Sequence, residues 1–378
     1  MINALVKATR SVLLLFFVFA AAGLTRAANG HANWRAEWEK TVEAAKKEGQ
    51  VTIYTSSTQN TLLMESGAFQ KKYPEIKLLV AQGDPVQRVM TERRVGKYLA
   101  DISFTGPSSI WRLYQARVLD PIRDTLVLPE VTDESKWFQG KHQYVDKERR
   151  YIFAAVGNVD LGAFFYNTNL VDPKDYRSFW DFLRPELRGK IGVRDVRSSG
   201  PGSVTMRFFY YVPELGPEFI RRLFSEMDIT LFRDQRQGID WLAVGRYPIC
   251  IFCNNTRIEM AKVQGLPVES FGLMKEGAGL IVSGGGISVL NKAPHPNAAK
   301  VFVNWFLSRE GQMAMQSVGG GSANSRRVDI PKDEVQPSRV PQPGVSYLDT
   351  ETWERISMEP VLKLVNNALA EAAKKKRQ

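Results

Sequence analysis

The polar and apolar positions of the chain alternate between two periods. In the stretch 34–50, WRAEWEKTVEAAKKEGQ, the apolar residues Trp34, Trp38, Val42 and Ala45 recur at helical spacing, and Gly49 supplies a left-handed cap. The next residues, VTIYTSS, read as a buried strand. A helix carrying Leu62, Leu63 and Phe69 follows, stopped at Tyr73-Pro74, and then the strand IKLLVAQG. A helix from Pro85 to about Tyr98, the strand ADISFTG and a helix opening at Pro107-Ser108-Ser109 continue the alternation. This order predicts a mostly parallel sheet with helices on both faces.

The period changes twice. The stretches YIFAAVGNVDLGAFFY (151–166) and GLIVSGGGISVLN (279–291) are β-rich without helical spacing. They bracket a segment with its own alternation: helix SFWDFLRPEL, strand GKIGVRD, turn SSGPGS, helices around MRFFYYV, PEFIRRLFSEM and RQGIDWLAVG, and strand YPICIFC. Two strand passages around a middle segment predict two crossover hinge strands between two α/β lobes. Residues 28–155 plus 285–378 are assigned to lobe 1 and 156–284 to lobe 2. Such a length exceeds what one core usually organises.

The beginning of the chain changes the picture further. Lys7 and Arg10 precede the apolar run SVLLLFFVFAAAGL, which is short of a bilayer span, and small residues follow. Residues 1–27 are read as a Sec-type signal peptide cleaved after Ala27, with Ala32 as the alternative, which predicts an exported, periplasmic protein. Losing Lys7, Arg10 and Arg26 lowers the net charge from +11 to +8. No arginine stripe interleaved with aromatics is present, so nucleic acid is not an expected partner. The C-terminal KKKRQ reads as the solvated end of a helix.

In open α/β sheets ligands bind beyond the carboxyl ends of strands. The residues there are Ser56, Ser57 and Thr58, then Thr105, Gly106 and Ser108, then Ser199, Gly200 and Gly202, and finally Asn254, Asn255, Thr256 and Arg257. Arg236 stands at the start of a further helix. Each loop alone reads as an ordinary helix cap. Four of them at corresponding strand ends, each before a helix whose free N–H groups attract anions, predict a ligand cleft.

Catalytic motifs are missing. The three histidines, His31, His142 and His295, lack H-E-x-x-H spacing, no G-x-S-x-G occurs, and SSGPGS is not a P-loop. The pair Cys250 and Cys253 forms a C-x-x-C, but in β-rich text, where side chains three apart point to opposite faces. The reading is two buried small hydrophobes, with a bulged disulfide as the alternative.

The stretches EGQVTIYTSS, ADISFTGPSSIWRLYQARVLDPI, FFYNTNLVDPKDYRSFWDFLRPELRGKIGVRD and NKAPHPNAAKVFVNWFLSREGQ, in this order, resemble the periplasmic solute-binding proteins of ABC importers, in the branch of the ferric-ion-binding proteins. The resemblance implies a type II periplasmic binding fold, two lobes closing over a solute, and permease and ATPase subunits as partners of a monomer. In the iron-binding members a histidine, a glutamate and a tyrosine pair hold Fe(III), beside an anion held by Ser-Gly backbone and asparagines. Those metal positions fall near Thr58 and Gly106 and at Thr256 and Arg257, none a ferric ligand. The anion positions are matched by Ser199-Gly200 and Asn254-Asn255.

The expectation is therefore a non-enzymatic binding protein, without metal or other cofactor, for a small anionic organic solute bearing a carboxylate, phosphate or phosphonate. Arg257 or Arg236 would supply the positive charge. The alternatives are a ferric carrier using Tyr210, Tyr211 or Asp195, and an exported redox protein using Cys250 and Cys253.

Overall fold

The computed structural model describes residues 34–197 and 202–377, so the signal-peptide reading lies outside the described residues. The opening helix spans 34–48, and Gly49, at φ +69°, ends it with its N–H on the Ala45 carbonyl. Strands Lys77–Gln82, Gln50–Thr55 and Ile102–Thr105 lie side by side and parallel, with Gln50 opposite Lys77 and Ile53 opposite Ile102. Strand Gly286–Leu290 enters antiparallel beside Ile102–Thr105 and carries Leu119–Asp120 and Phe153–Ala154 on its other side. Beneath this sheet Ile53, Phe104, Phe69, Phe302, Trp305 and Phe306 form one core. Helix Pro296–Leu307 is buried at every position from Ala298 to Leu307 except the half-buried Lys300, which pairs with Glu37.

The second sheet runs Val268–Ser270, Phe164–Asn167, Ile249–Ile251, Ile191–Arg194, Thr230–Phe232, with the last three parallel. Its core is aromatic, built on Phe164, Phe179, Phe182, Phe209 and Phe219. The predicted helix 178–187 is instead two 3₁₀ turns, Phe179–Leu183 and Pro185–Leu187. Pro185 lacks the N–H that a continuous helix needs and pushes Arg184 into extended backbone, at ψ 141°.

The crossover strands pair with each other. Asn158–Asp160 lies antiparallel to Ala278–Ile281, with Val159 opposite Leu280. The glycine run between Ile281 and Gly286 is a turn: the Gly285 N–H bonds the Val282 carbonyl. A third strand, Tyr347–Asp349, joins this pair and leads to helix Glu359–Lys375. Val361, Val365 and Ala368 of that helix lie in the aromatic second core, against helix Gly216–Glu226. Helix Glu359–Lys375, part of the segment 285–378 assigned to the first lobe, thus packs on the second core. The helix has an apolar face that the second lobe covers. No helix among the described residues is long and apolar enough to cross a membrane.

Candidate ligand-binding site

The first wall of the cleft is assembled at the strand ends of the first lobe. Ser57 caps helix Thr58–Glu65. Its neighbour Ser56 meets Thr105 hydroxyl to hydroxyl at 2.6 Å, so two of the predicted residues from separate loops are brought together. Beneath them Asn60, fully buried, donates its amide to the carbonyls of Phe104 and Gly284, each at 2.8 Å. Those bonds tie the first two strand-end loops to the crossover turn. The turn approaches closely: a Cβ at Gly284 would lie 2.2 Å from Ser57 Oγ, and one at Gly106 3.1 Å from the Ser283 carbonyl. Ser283 itself holds φ +52°, a conformation few side chains adopt, and its hydroxyl accepts from Asn158 Nδ2 at 3.1 Å.

Ser57 and Ser56 face different spaces. Ser57, with Asn158, Ser283, Gly284, Ser322 and Arg339, lines a cavity of about 210 Å³ between the crossovers and the first lobe. Ser56 lies instead on a shallow depression of about 360 Å³ with Asp84 and Ser109. Thr58 and Ser108 are exposed at the rim.

The second wall belongs to the second lobe. Strand Ile249–Ile251 ends, Phe252 turns the chain with φ +63°, and Asn254 caps helix Asn255–Val263, its Oδ1 accepting the Arg257 N–H at 3.0 Å. Asn255, Glu259, Ser270, Leu161, Phe165 and Arg339 are among the residues lining a cavity of about 580 Å³. Thr256 adds its backbone to the first turn of that helix. Gly202, at φ +103°, opens helix Ser203–Tyr211, while Ser199 and Gly200 lie outside the described residues.

The arginine that lines these cavities is not one that strand-end reasoning selects. The Arg236 and Arg257 side chains are exposed, and neither lines these two cavities. Arg236 leans on Asp240 of its own helix, Nε 3.8 Å from the carboxylate. Arg339, from the short 3₁₀ turn Pro337–Arg339, lines both the 210 Å³ and the 580 Å³ cavities. Its guanidinium has no ion pair among the described residues. Asn324 anchors its carbonyl at 3.4 Å. Only its position in space reveals it, because VQPSRVPQP has no periodic pattern.

Asp160, on the first crossover, is the acid nearest in effect. Burial pushes its carboxyl above the usual carboxylate range, against the opposing pull of the Thr205 hydroxyl, the Gly162 N–H, Arg339 and Arg207. Thr205 Oγ1 donates to it at 2.8 Å.

The C-x-x-C reading is corrected. Cys250 and Cys253 form a disulfide with Cα atoms 6.1 Å apart. The strand stops at Ile251, and the positive φ of Phe252 swings Cys253 back toward Cys250, where a continued strand would have turned it away. Both sulfurs are buried among Phe165, Leu242 and Ile258, away from any thiol partner in solution.

The candidate ferric ligands have other work. Asp195 takes two bonds from the Arg197 guanidinium, at 2.7 and 2.9 Å, and one from its backbone N–H at 3.1 Å, and these hold its carboxyl below the usual range. The Tyr211 hydroxyl donates to the Glu354 carbonyl at 3.1 Å, and Tyr210 packs on the second core. Among the described residues no group of three His, Cys, Asp or Glu converges as a metal site. His142 bonds the Val131 carbonyl in the core, and His295 bonds Asp101.

The sequence matches no family model. An uncharacterised protein of Haemophilus influenzae is 24% identical over 289 residues, 71% of this chain and 76% of that protein. Among solved structures, the periplasmic binding protein AfuA of Actinobacillus pleuropneumoniae, with fructose 6-phosphate bound, superposes with a TM-score of 0.60 at 21% identity, over 86% of this chain and 99% of AfuA. Iron-bound HitA of Pseudomonas aeruginosa superposes with a TM-score of 0.58 at 18% identity, over 84% of this chain and 99% of HitA. These likenesses cover most of this chain, and the chain accordingly has the fold of the periplasmic binding proteins.

Proposed function

We propose that this chain is the exported solute-binding component of an ABC import system, taking a small anionic organic solute between its lobes and delivering it to a membrane permease with its ATPase. The observation that carries the reading is Arg339. A half-buried guanidinium with no acid paired to it among the described residues lines both cavities, one of them together with Ser57, Ser283 and Gly284. A planar, permanently charged fork in such a place suits a carboxylate, phosphate or phosphonate.

The larger space, about 580 Å³, is of the size that organic ligands occupy, and apolar Leu161 and Phe165 share its wall with Asn255 and Ser270. A solute with an anionic end and a body of hydroxyl and carbon groups would use both. Asn255, Gly202 and the first turns of helices Ser203–Tyr211 and Asn255–Val263 supply N–H groups from the second lobe, and Ser57 with its helix from the first. A ligand touching both walls only when they approach stabilises the closed form by its differential affinity. Export to the periplasm follows from the reading of residues 1–27, and action as a monomer from the resemblance.

No contact favours the iron reading, since Asp195 and Tyr211 are already engaged. Native mass spectrometry of the protein purified from its own host tests the proposal. A co-purified organic anion of a few hundred daltons, lost on mild denaturation, is expected. A stoichiometric ferric ion with no organic anion would overturn it.

A further inference from the structure

One buried side chain links the starts of two second-lobe helices. Phe252 is fully buried, and its amide donates to the Ala163 carbonyl at 2.8 Å. Its ring fills the space over Gly202: a Cβ there would lie 2.8 Å from the ring and 3.0 Å from the Phe252 Cβ. Gly202 is the residue from which helix Ser203–Tyr211 departs, its carbonyl accepting the Met206 N–H at 2.8 Å. On its other side Phe252 is followed by Cys253 and then by Asn254, the cap of helix Asn255–Val263.

Phe252 holds φ +63°, where an aromatic residue is rarely found. Such a conformation persists only where its surroundings over-determine it. Here the constraint is covalent, because the Cys250–Cys253 bond closes a four-residue ring around it. The bond spans only three residues, so closing it restricts the unfolded chain less than a long-range bridge would. Its effect is local and geometric.

We propose that the Cys250–Cys253 disulfide and the Phe252 ring form a clamp that fixes the starts of two second-lobe helices, Gly202 and Asn254-Asn255, in one relative position. That these helix starts face a ligand rests on the functional reading above. The clamp itself does not.

Hydrogen exchange on the ligand-free protein separates the two. In a Cys250→Ser, Cys253→Ser variant, the Met206 amide and the Arg257 and Ile258 amides, which bond Gly202 and Asn254, are expected to exchange about tenfold faster. Helix Gly216–Glu226 and strand Ile191–Arg194 should keep their protection. Unchanged exchange at both loop starts overturns the clamp, and so does a uniform loss that includes Phe219 to Leu223, which marks a general stabiliser. Should the double variant not fold, Phe252→Leu keeps the bond and removes the ring from Gly202. It should then speed exchange at Met206 while Ile258 stays protected, and no change at Met206 contradicts the proposal. Since no ligand is present, a mistaken solute assignment leaves these outcomes untouched.

Discussion

The two walls of the cleft are held by different physics. On the first lobe the positioning element is polar: the buried Asn60 amide gathers the Phe104 and Gly284 carbonyls, and the Ser56 and Thr105 hydroxyls meet above it. On the second lobe it is covalent and aromatic, a disulfide and the ring of Phe252 packed on Gly202. Hydrogen-bonded loops depend on each partner keeping its neighbour satisfied, whereas a packed ring depends on space being left open for it. The first wall should therefore be sensitive to lost polar partners, and the second to added volume.

Gly202→Ala should break the second wall with the largest effect. The new methyl meets the Phe252 ring in a φ that alanine resists, and a stability loss of about 3 kcal/mol is expected in urea unfolding. Arg339→Ala leaves both walls standing and removes the charge between them, so anion affinity should fall about 100-fold in calorimetry with an unchanged unfolding midpoint. Asn60→Leu attacks the first wall, leaving two buried carbonyls without their donor, for about 2 kcal/mol.

Asp160→Asn should give a smaller change of opposite sign. Burial holds the folded carboxyl above its unfolded value, so the folded state prefers the proton and this group's contribution to stability falls as pH rises between the two values. The amide, still able to accept from Thr205, should raise the melting temperature slightly at pH 7, with the gain vanishing under acid. Arg257→Ala should do least, within about 0.5 kcal/mol in stability, because its side chain is exposed.

These positions also mark how far the sequence could be read. The β-α-β alternation from Gln50 to Gln115 and the paired crossovers were legible because buried strands and amphipathic helices impose periods of two and 3.6 on the text. Ser57 and Asn255 could be picked out as candidates because a strand end before a helix is where backbone N–H groups stand free. The disulfide was legible only as the alternative reading, since it depends on the positive φ of Phe252, which an aromatic residue does not announce. Arg339, which a proline-rich segment carries into the cleft from far along the chain, was not legible. Helix Glu359–Lys375 had a readable apolar face, but which lobe covers that face is a property of tertiary packing.

The account rests on an anion meeting Arg339 between the lobes, and one measurement reaches that claim directly. Thermal-shift titration in the presence of a metal chelator, with fructose 6-phosphate and a set of other sugar phosphates, phosphonates and carboxylates, compares the protein with its Arg339→Ala variant. The account predicts that at least one organic anion raises the melting temperature of the protein and leaves the variant unmoved. Equal shifts in both proteins, or stabilisation by ferric iron alone once the chelator is removed, would contradict it.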